Sequence, residues 1–350
     1  MTDPTSDRPL LSVVIPTYKR AKDLDRAIGS VLSERGDYFE VVVGDDGSPD
    51  DTPQVVAAHS HDRRFRAYRN DTNLGMQENV LKVVREARGD YVFILTDDDL
   101  MQPGALTKVA RATRSHPEAA YLLSHLATVD ERTGAVADVH RTFAVDTVTA
   151  PGIETVSRVA GSAWVLSRQV LKRDCIDWDT WERFRANIFF PIIVAGRLLL
   201  QYPACYLADF LVKHTWFNAV HWGAFGPNEL AIELRLAADR TRCMAAILHD
   251  QAALPAVRAA TERWESASFR SYLYLPVRGY HDLIHGVGER EARRALEEAF
   301  LMTSARRREL AQYPLRSPFV RLWFRGRQWL KTALPRLASV ARGWRTKSYP

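Results

Sequence analysis

Apolar residues recur along the first third of the chain in short, nearly unbroken runs separated by stretches of mixed polarity. The runs are LLSVVIP, FEVVVGDD, FRAYRN and YVFILTDDD. Between them lie a segment ending near Glu34, another from Thr52 to Ala58 and a third from Met76 to Ala87. The order predicts β-α-β-α-β-α-β. β-Branched, almost wholly apolar runs suit strands buried on both faces of a parallel sheet and joined by right-handed helical crossovers. The fold class is therefore α/β, a Rossmann-like, mostly parallel sheet flanked by helices. Ligands of such sheets gather beyond the C-terminal ends of the strands.

After Pro103 the pattern predicts a helix to about Ser115, then the apolar stretch AAYLLSHLATVD, a turn at Gly134 and more strand-like sequence around VSRVAGSAWVLS. From Asp179 onward it becomes mostly helical, with a long run from Asn228 to Leu248 and others near Pro255 to Trp264 and Glu289 to Met302. Three segments follow: an α/β domain over 1–225, a helical C-terminal region over 226–315 and a tail over 316–350.

Charge separates the tail from the rest. Arg306 to Pro350 holds twelve Lys and Arg against one acidic residue, Glu309, while the remainder of the chain is mildly acidic. In the tail Phe319, Leu322, Trp323, Leu330, Leu334, Leu337 and Trp344 recur at helical spacing with Arg and Lys between them. A basic amphipathic helix with tryptophans on its apolar side suits the headgroup region of an anionic leaflet, and it also suits packing on the protein's own body. No nucleic-acid partner is expected, because the basic character is confined to this tail. The polar, acidic start MTDPTSDRPL has no secretory pattern, and the stretch Ile188 to Leu200 is interrupted by Pro191 and Arg197 and too short to span a bilayer. Three widely spaced cysteines suggest neither a disulfide framework nor a zinc site. A cytoplasmic protein bound peripherally to the membrane is the expectation.

The chemistry concentrates at the predicted strand tips. YVFILTDDDL delivers Asp97, Asp98 and Asp99 into the expected crevice, where three carboxylates repel one another unless a hard cation such as Mg²⁺ or Mn²⁺ intervenes. Diphosphate oxygens and water can complete such an ion's shell. The same triplet also suits a solvated turn capping the next helix. At the second tip, VVVGDDGSPDDT sets Asp45 and Asp46 beside Gly47, with Ser48 and Asp50 or Asp51 able to cap the following helix. A carboxylate there can accept the ring N–H of uracil, thymine or guanine, a donor that cytosine lacks, so Asp46 disfavours cytidine nucleotides. The first tip, SVVIPTYKR, offers Pro16 at the strand exit, Tyr18 as an aromatic face, and Lys19 and Arg20 for phosphate. RNDTNLGMQEN puts Asn73 and Gly75 just before a helix, where backbone without Cβ can approach a ligand.

Taken together, SVVIPTYKR, GDDGSPDDT, NLG and TDDDL, in this order, resemble glycosyltransferase family 2, the inverting GT-A family, over roughly residues 10 to 200. The resemblance implies a GT-A fold over 1–225, a nucleoside-diphosphate sugar donor and a bound Mg²⁺ or Mn²⁺. It implies that Pro16, Tyr18 and Asp46 hold the base, that Asp97 lies near the ribose and that Asp98 ligates the metal. Asp99 becomes a second ligand or orients one. Inverting transfer needs a base for the acceptor hydroxyl. GSAWVLSR, Gly161 to Arg168, matches the family's G-x-x-x-x-x-x-R segment, but the acidic pair that follows it in the family is missing from DWDTWERFRANIFF. Asp179 and Glu182 are the nearest carboxylates, and Asn187 stands near the aligned position. KHTWFNAVHWG, with His214, Trp216, His221 and Trp222, suits a lid over a sugar diphosphate or an aromatic structural loop. His59, His61 and Asp62 look like a metal cluster but fit a solvated helix end.

The sequence thus points to transfer of a sugar from UDP or dTDP to a glycan or lipid-linked acceptor. A non-catalytic sugar-nucleotide-binding or scaffold protein and a nucleotidyltransferase on a related fold are the alternatives. Against the second of these, the sequence lacks the Gly-rich, Lys-containing phosphate loop expected to hold a triphosphate.

Overall fold

Alternate residues of the first strand serve different layers. Val13 and Ile15 of β1 (Leu11–Thr17) pack beneath α1 (Ala21–Leu32), whose Leu24, Ala27, Ile28 and Val31 form the buried stripe, while Val14 faces the opposite layer. β2 (Phe39–Asp45) repeats the division: Val41 and Val43 join the first layer and Val42 the second. Each fully buried Val or Leu contributes about 1.5–3 kcal/mol, so a strand apolar on both faces is held between two helical layers.

The computed structural model describes residues 8–216, apart from 131, 132 and 188, together with Ile247. These belong to one of two compact units, Met1–Ala224 with Asp239–Trp264. The remaining elements are, in order, α2 (Thr52–His59), β3 (Phe65–Arg69), α3 (Met76–Glu86), β4 (Tyr91–Ile94), β5 (Leu100–Met101), α4 (Ala105–Ser115), β6 (Tyr121–Asp130), β7 (Val136–His140), β8 (Thr147–Thr149), α5 (Ile153–Val159), β9 (Gln169–Lys172), α6 (Trp178–Phe184), α7 (Phe190–Gln201) and β10 (Ala204–Trp216). The sheet order is β3-β2-β1-β4-β9-β6-β10-β5, with β7 beside β6 and β8 beside β10. β3, β2, β1 and β4 are mutually parallel, β9 runs antiparallel between β4 and β6, and β10 is parallel to β6. This mostly parallel mixed sheet flanked by helices is the GT-A architecture.

Two expectations are corrected. The strand-like reading of VSRVAGSAWVLS fails: it forms α5 and two short 3₁₀ turns, Ala160–Ser162 and Leu166–Arg168. Buried Val156, Val159, Ala160 and Ala163 stand at i, i+3, i+4 and i+7, a helical period that β-branched composition masks. The mostly helical reading beyond Asp179 holds for α6 and α7 but misses the 13-residue strand β10. Its register against β6 shifts between Leu207 and Phe210 and again between Phe210 and Lys213, and such bulges break the period-2 pattern that marks a strand. The helical runs beyond 216, the lid residues His221 and Trp222, and the basic tail lie outside the described residues. Among the described residues no helix is long and apolar enough to cross a membrane.

Candidate active site

Parallel pairing brings the tips of β1, β2 and β4 to one end of the sheet, with Thr17 opposite Asp45 and Val14 opposite Ile94. The turn after β4 is tied down first. The Thr96 amide donates to Ser167 Oγ at 2.9 Å, and the two hydroxyls lie 2.8 Å apart. Ser167 belongs to the G-x-x-x-x-x-x-R segment, so that segment braces the acidic turn directly. The next residue, Arg168, is buried and donates to the Ser124 carbonyl.

The three aspartates then diverge. Asp97 is buried and accepts from Thr17 Oγ1 at 2.7 Å and from the Tyr18 amide. Burial and the adjacent Asp98 charge push its carboxyl up to about 7, against the pull of Arg20. Asp98 is part-exposed and takes a 2.8 Å ion pair from Arg20 Nη1; burial, then Asp99, raise its pKa. Asp99 is fully buried, and both its oxygens are occupied: it accepts from Thr96 Oγ1, from the Thr215 amide at 2.8 Å and from His214 Nδ1 at 2.9–3.0 Å. The expected ligand role for Asp99 therefore gives way to an orienting one.

His214 is the residue that the sequence underweighted. β5 pairs antiparallel with Val212 and Lys213 of β10, which carries His214 to the acidic turn instead of into the loop expected for KHTWFNAVHWG. Burial works against the imidazolium, but the hydrogen bond and charge of Asp99 raise its pKa overall. A carboxylate accepting from Nδ1–H leaves Nε2 as the ring's remaining ligand atom, the arrangement seen behind metal-bound histidines.

On the β1 side, Lys19 is the one non-glycine residue among those described with positive φ, at 58°. Its amide donates to Ser48 Oγ at 3.0 Å, and the Ala21 amide donates to Asp50 Oδ2 at 3.2 Å. These contacts aim Arg20 across the crevice to Asp98 and to Asp97, 3.7 Å from Nε. Ser48 therefore holds the β1 loop and does not cap α2; Asp50 bonds the Thr52 amide and hydroxyl there. Tyr18 and Asn73 are joined by a side-chain hydrogen bond, which lowers the Tyr18 pKa. Pro16 and Tyr18 are both part-exposed at this edge.

Asp46 departs from its expected role. It is buried, and its carboxylate accepts from Asn70 Nδ2 at 2.8 Å and from the Leu74 and Gly75 amides at 2.9 Å each. It locks the loop that carries Asn73 and Gly75 and is not held open for a base N–H. Gly47, at φ 71°, makes that loop possible, since a Cβ there would come within 3.1 Å of the Thr72 carbonyl carbon and 3.2 Å of the Asn70 oxygen.

Asp179 and Glu182 do not join the cluster. Glu182 on α6 pairs with Arg85 at 2.6 Å and Arg185 at 3.0 Å, and Arg85 lies in the last turn of α3, which leads into the N-terminal end of β4. Asp179 is exposed one turn earlier on α6. Arg185, at the C-terminal cap of α6, pairs with Glu78 in the first turn of α3, and no hydrogen bond or ion pair joins Asp179 or Glu182 to the acidic turn among the described contacts. The Asn187 side chain accepts from the Phe189 amide at the start of α7. His59, His61 and Asp62 separately bond Asp25, the Ala58 carbonyl and Arg64 and form no cluster.

Among the described residues no three metal-ligating side chains converge. The donor set nevertheless fits a hard cation carried with phosphate, which needs only one or two protein carboxylates. Asp98 would supply one, and His214 Nε2 would be the nitrogen left for it.

The model of glycosyl transferase family 2 matches residues 12–173, a span that includes the tips of β1, β2 and β4 but not His214. The chain carries a glycosyl transferase family 2 domain. The family 2 domain is 36% identical over 101 residues to the GalNAc(5)-diNAcBac-PP-undecaprenol beta-1,3-glucosyltransferase of Campylobacter jejuni, covering 28% of this chain and 33% of that protein. It is also 36% identical over 104 residues to an uncharacterized protein of Mycobacterium tuberculosis, covering 30% and 32%. The chain thus spans about a third of the length of the curated relatives it matches. Among solved structures, S. aureus TarS 1–349 aligns over 83% of this chain and 88% of its own with a TM-score of 0.54 at 16% identity, a likeness of fold.

Proposed function

We propose that the chain is an inverting glycosyltransferase that moves a sugar from a nucleoside-diphosphate donor to a glycan or lipid-linked acceptor with Mg²⁺ or Mn²⁺. The observation that carries this reading is the part-exposed Asp98 at the C-terminal tip of β4, faced by Arg20 from β1 and flanked by the Asp99-anchored His214. Asp98 and His214 would hold the ion, which when bound would neutralise the leaving diphosphate. Pro16, Tyr18, Asn73 and Gly75 would line the nucleoside side, and Asp97 would meet the ribose. Since Asp46 is spent on its loop, its discrimination against cytidine falls away, and UDP, dTDP, GDP and CDP sugars are all donors to try. Support for a lipid-linked acceptor comes from the basic amphipathic tail and from the undecaprenol-linked substrate in the name of the Campylobacter relative.

A second reading is favoured by one observation: among the described residues no carboxylate stands at the start of α7, where the family carries its acidic pair. The chain would then bind a sugar nucleotide without transferring the sugar. Nucleoside-diphosphate release from UDP-, dTDP- and GDP-sugars, with Mn²⁺ and with EDTA, separates the two. Metal-dependent release supports the transferase. Tight, metal-assisted binding without turnover supports the second reading, and absence of both removes each of them.

A further inference from the structure

Arg20 and a divalent ion compete for the same oxygen. Nη1 sits 2.8 Å from Asp98 Oδ2 and Nε 3.7 Å from Asp97 Oδ1, so one guanidinium spans both carboxylates of the turn that remain available once His214 has engaged Asp99. An ion bound to that oxygen at about 2.1 Å leaves no room for a guanidinium at hydrogen-bonding distance, and two cations on one carboxylate repel. The backbone of Arg20 cannot retreat easily, because its neighbours Lys19 and Ala21 are held through their amides by Ser48 and Asp50. The side chain is 22% exposed and its partner Asp98 19%, so this ion pair is solvent-accessible, whereas Asp97, at 11%, is the more enclosed of the two carboxylates.

Resting on the metal-dependent reading above, we propose that Arg20 is an internal counter-cation that occupies the Asp97–Asp98 turn until a metal-bound diphosphate arrives. It then transfers its guanidinium from Asp98 to the diphosphate. A planar fork suits two phosphate oxygens as well as it suits a carboxylate. The exchange makes the ion and the nucleotide bind together: metal alone must break the Arg20–Asp98 ion pair, whereas the diphosphate gives the displaced guanidinium an anionic partner in its place. Arg20 is thus a positioning residue that suppresses unproductive metal loading, and its effect is a coupling between two ligands.

The test is calorimetric and needs no turnover. Mn²⁺ affinity is measured for the full chain alone and with saturating UDP, dTDP or GDP, in wild type, Arg20→Gln, Arg20→Met and Arg20→Lys, with thermal melting confirming that each is folded. Both neutral variants should bind Mn²⁺ alone about fivefold or more tighter than wild type, and the extra tightening given by the nucleotide should shrink by a similar factor. Arg20→Lys, which keeps the charge, should stay near wild type for Mn²⁺ alone. Unchanged or weaker Mn²⁺ binding in both neutral variants would overturn the counter-cation role while leaving the metal reading intact. Absence of Mn²⁺ binding in every protein, with and without nucleotide, would overturn both.

Discussion

His214 Nδ1 lies 2.9 Å from Asp99 Oδ2, a contact that joins the end of β10 to the acidic turn after β4 across 115 residues of chain. Asp99 is saturated by three donors and holds the imidazole in one orientation. Asp99→Asn should therefore weaken metal dependence more than it disturbs the fold. The Mn²⁺ concentration for half-maximal nucleoside-diphosphate release should rise about 10- to 100-fold, as loss of an orienting carboxylate does at other metal sites. An unchanged Mn²⁺ requirement would remove His214 from the ion's shell.

Lys19 carries a left-handed backbone that costs an L-residue about 1–2 kcal/mol, at the loop that aims Arg20. Asparagine tolerates this region far better. Lys19→Asn should stabilise the protein by about 1 kcal/mol, read as a higher denaturant midpoint with an unchanged slope. A lower midpoint would mean that the Lys19 side chain contributes more than its backbone costs.

Glu40 gives the sheet an acid-sensitive anchor. Its buried carboxylate accepts from Ser12 Oγ at 2.5 Å, Arg66 Nε at 2.8 Å and the Arg88 amide at 2.7 Å. Burial opposes ionisation, but these donors lower its pKa overall. A depressed folded-state pKa contributes stability that is present above the unfolded value and is lost as the pH falls through the folded one. Denaturation midpoints should drop between about pH 4.5 and lower values, and Glu40→Gln should flatten that part of the profile while costing about 2 kcal/mol at neutral pH. A profile identical to wild type would show that other carboxylates govern acid unfolding.

The β-α alternation of the first 100 residues and the gathering of the acidic residues at the strand tips were legible in the sequence, because unbroken apolar runs and turn residues are local signals. What was not legible depends on contacts between distant segments. Asp46, Asp98 and Asp99 look alike as strand-end carboxylates, yet the Leu74 and Gly75 amides consume one and His214 with the Thr215 amide another. β10 hid behind its bulges, and with it the placement of His214. The Gly161–Arg168 segment matched the family pattern, but its physical task, Ser167 bracing Thr96, emerges only from the fold.

The basic tail sets a separate expectation. Deleting Arg316 to Pro350 should abolish cosedimentation with vesicles containing anionic lipid at low salt, while donor binding persists. Retained cosedimentation would assign membrane affinity, if any, to another surface.

The central claim is that Asp98 holds the cation that holds the donor. The most direct measurement compares Mn²⁺-dependent release of nucleoside diphosphate by the wild-type chain and by Asp98→Ala, with melting temperatures confirming that both are folded. Loss of this part-exposed ligand should lower release by about 100-fold or more, with little change in melting temperature because the carboxylate is not part of the apolar core. Release within about twofold of wild type would contradict the account.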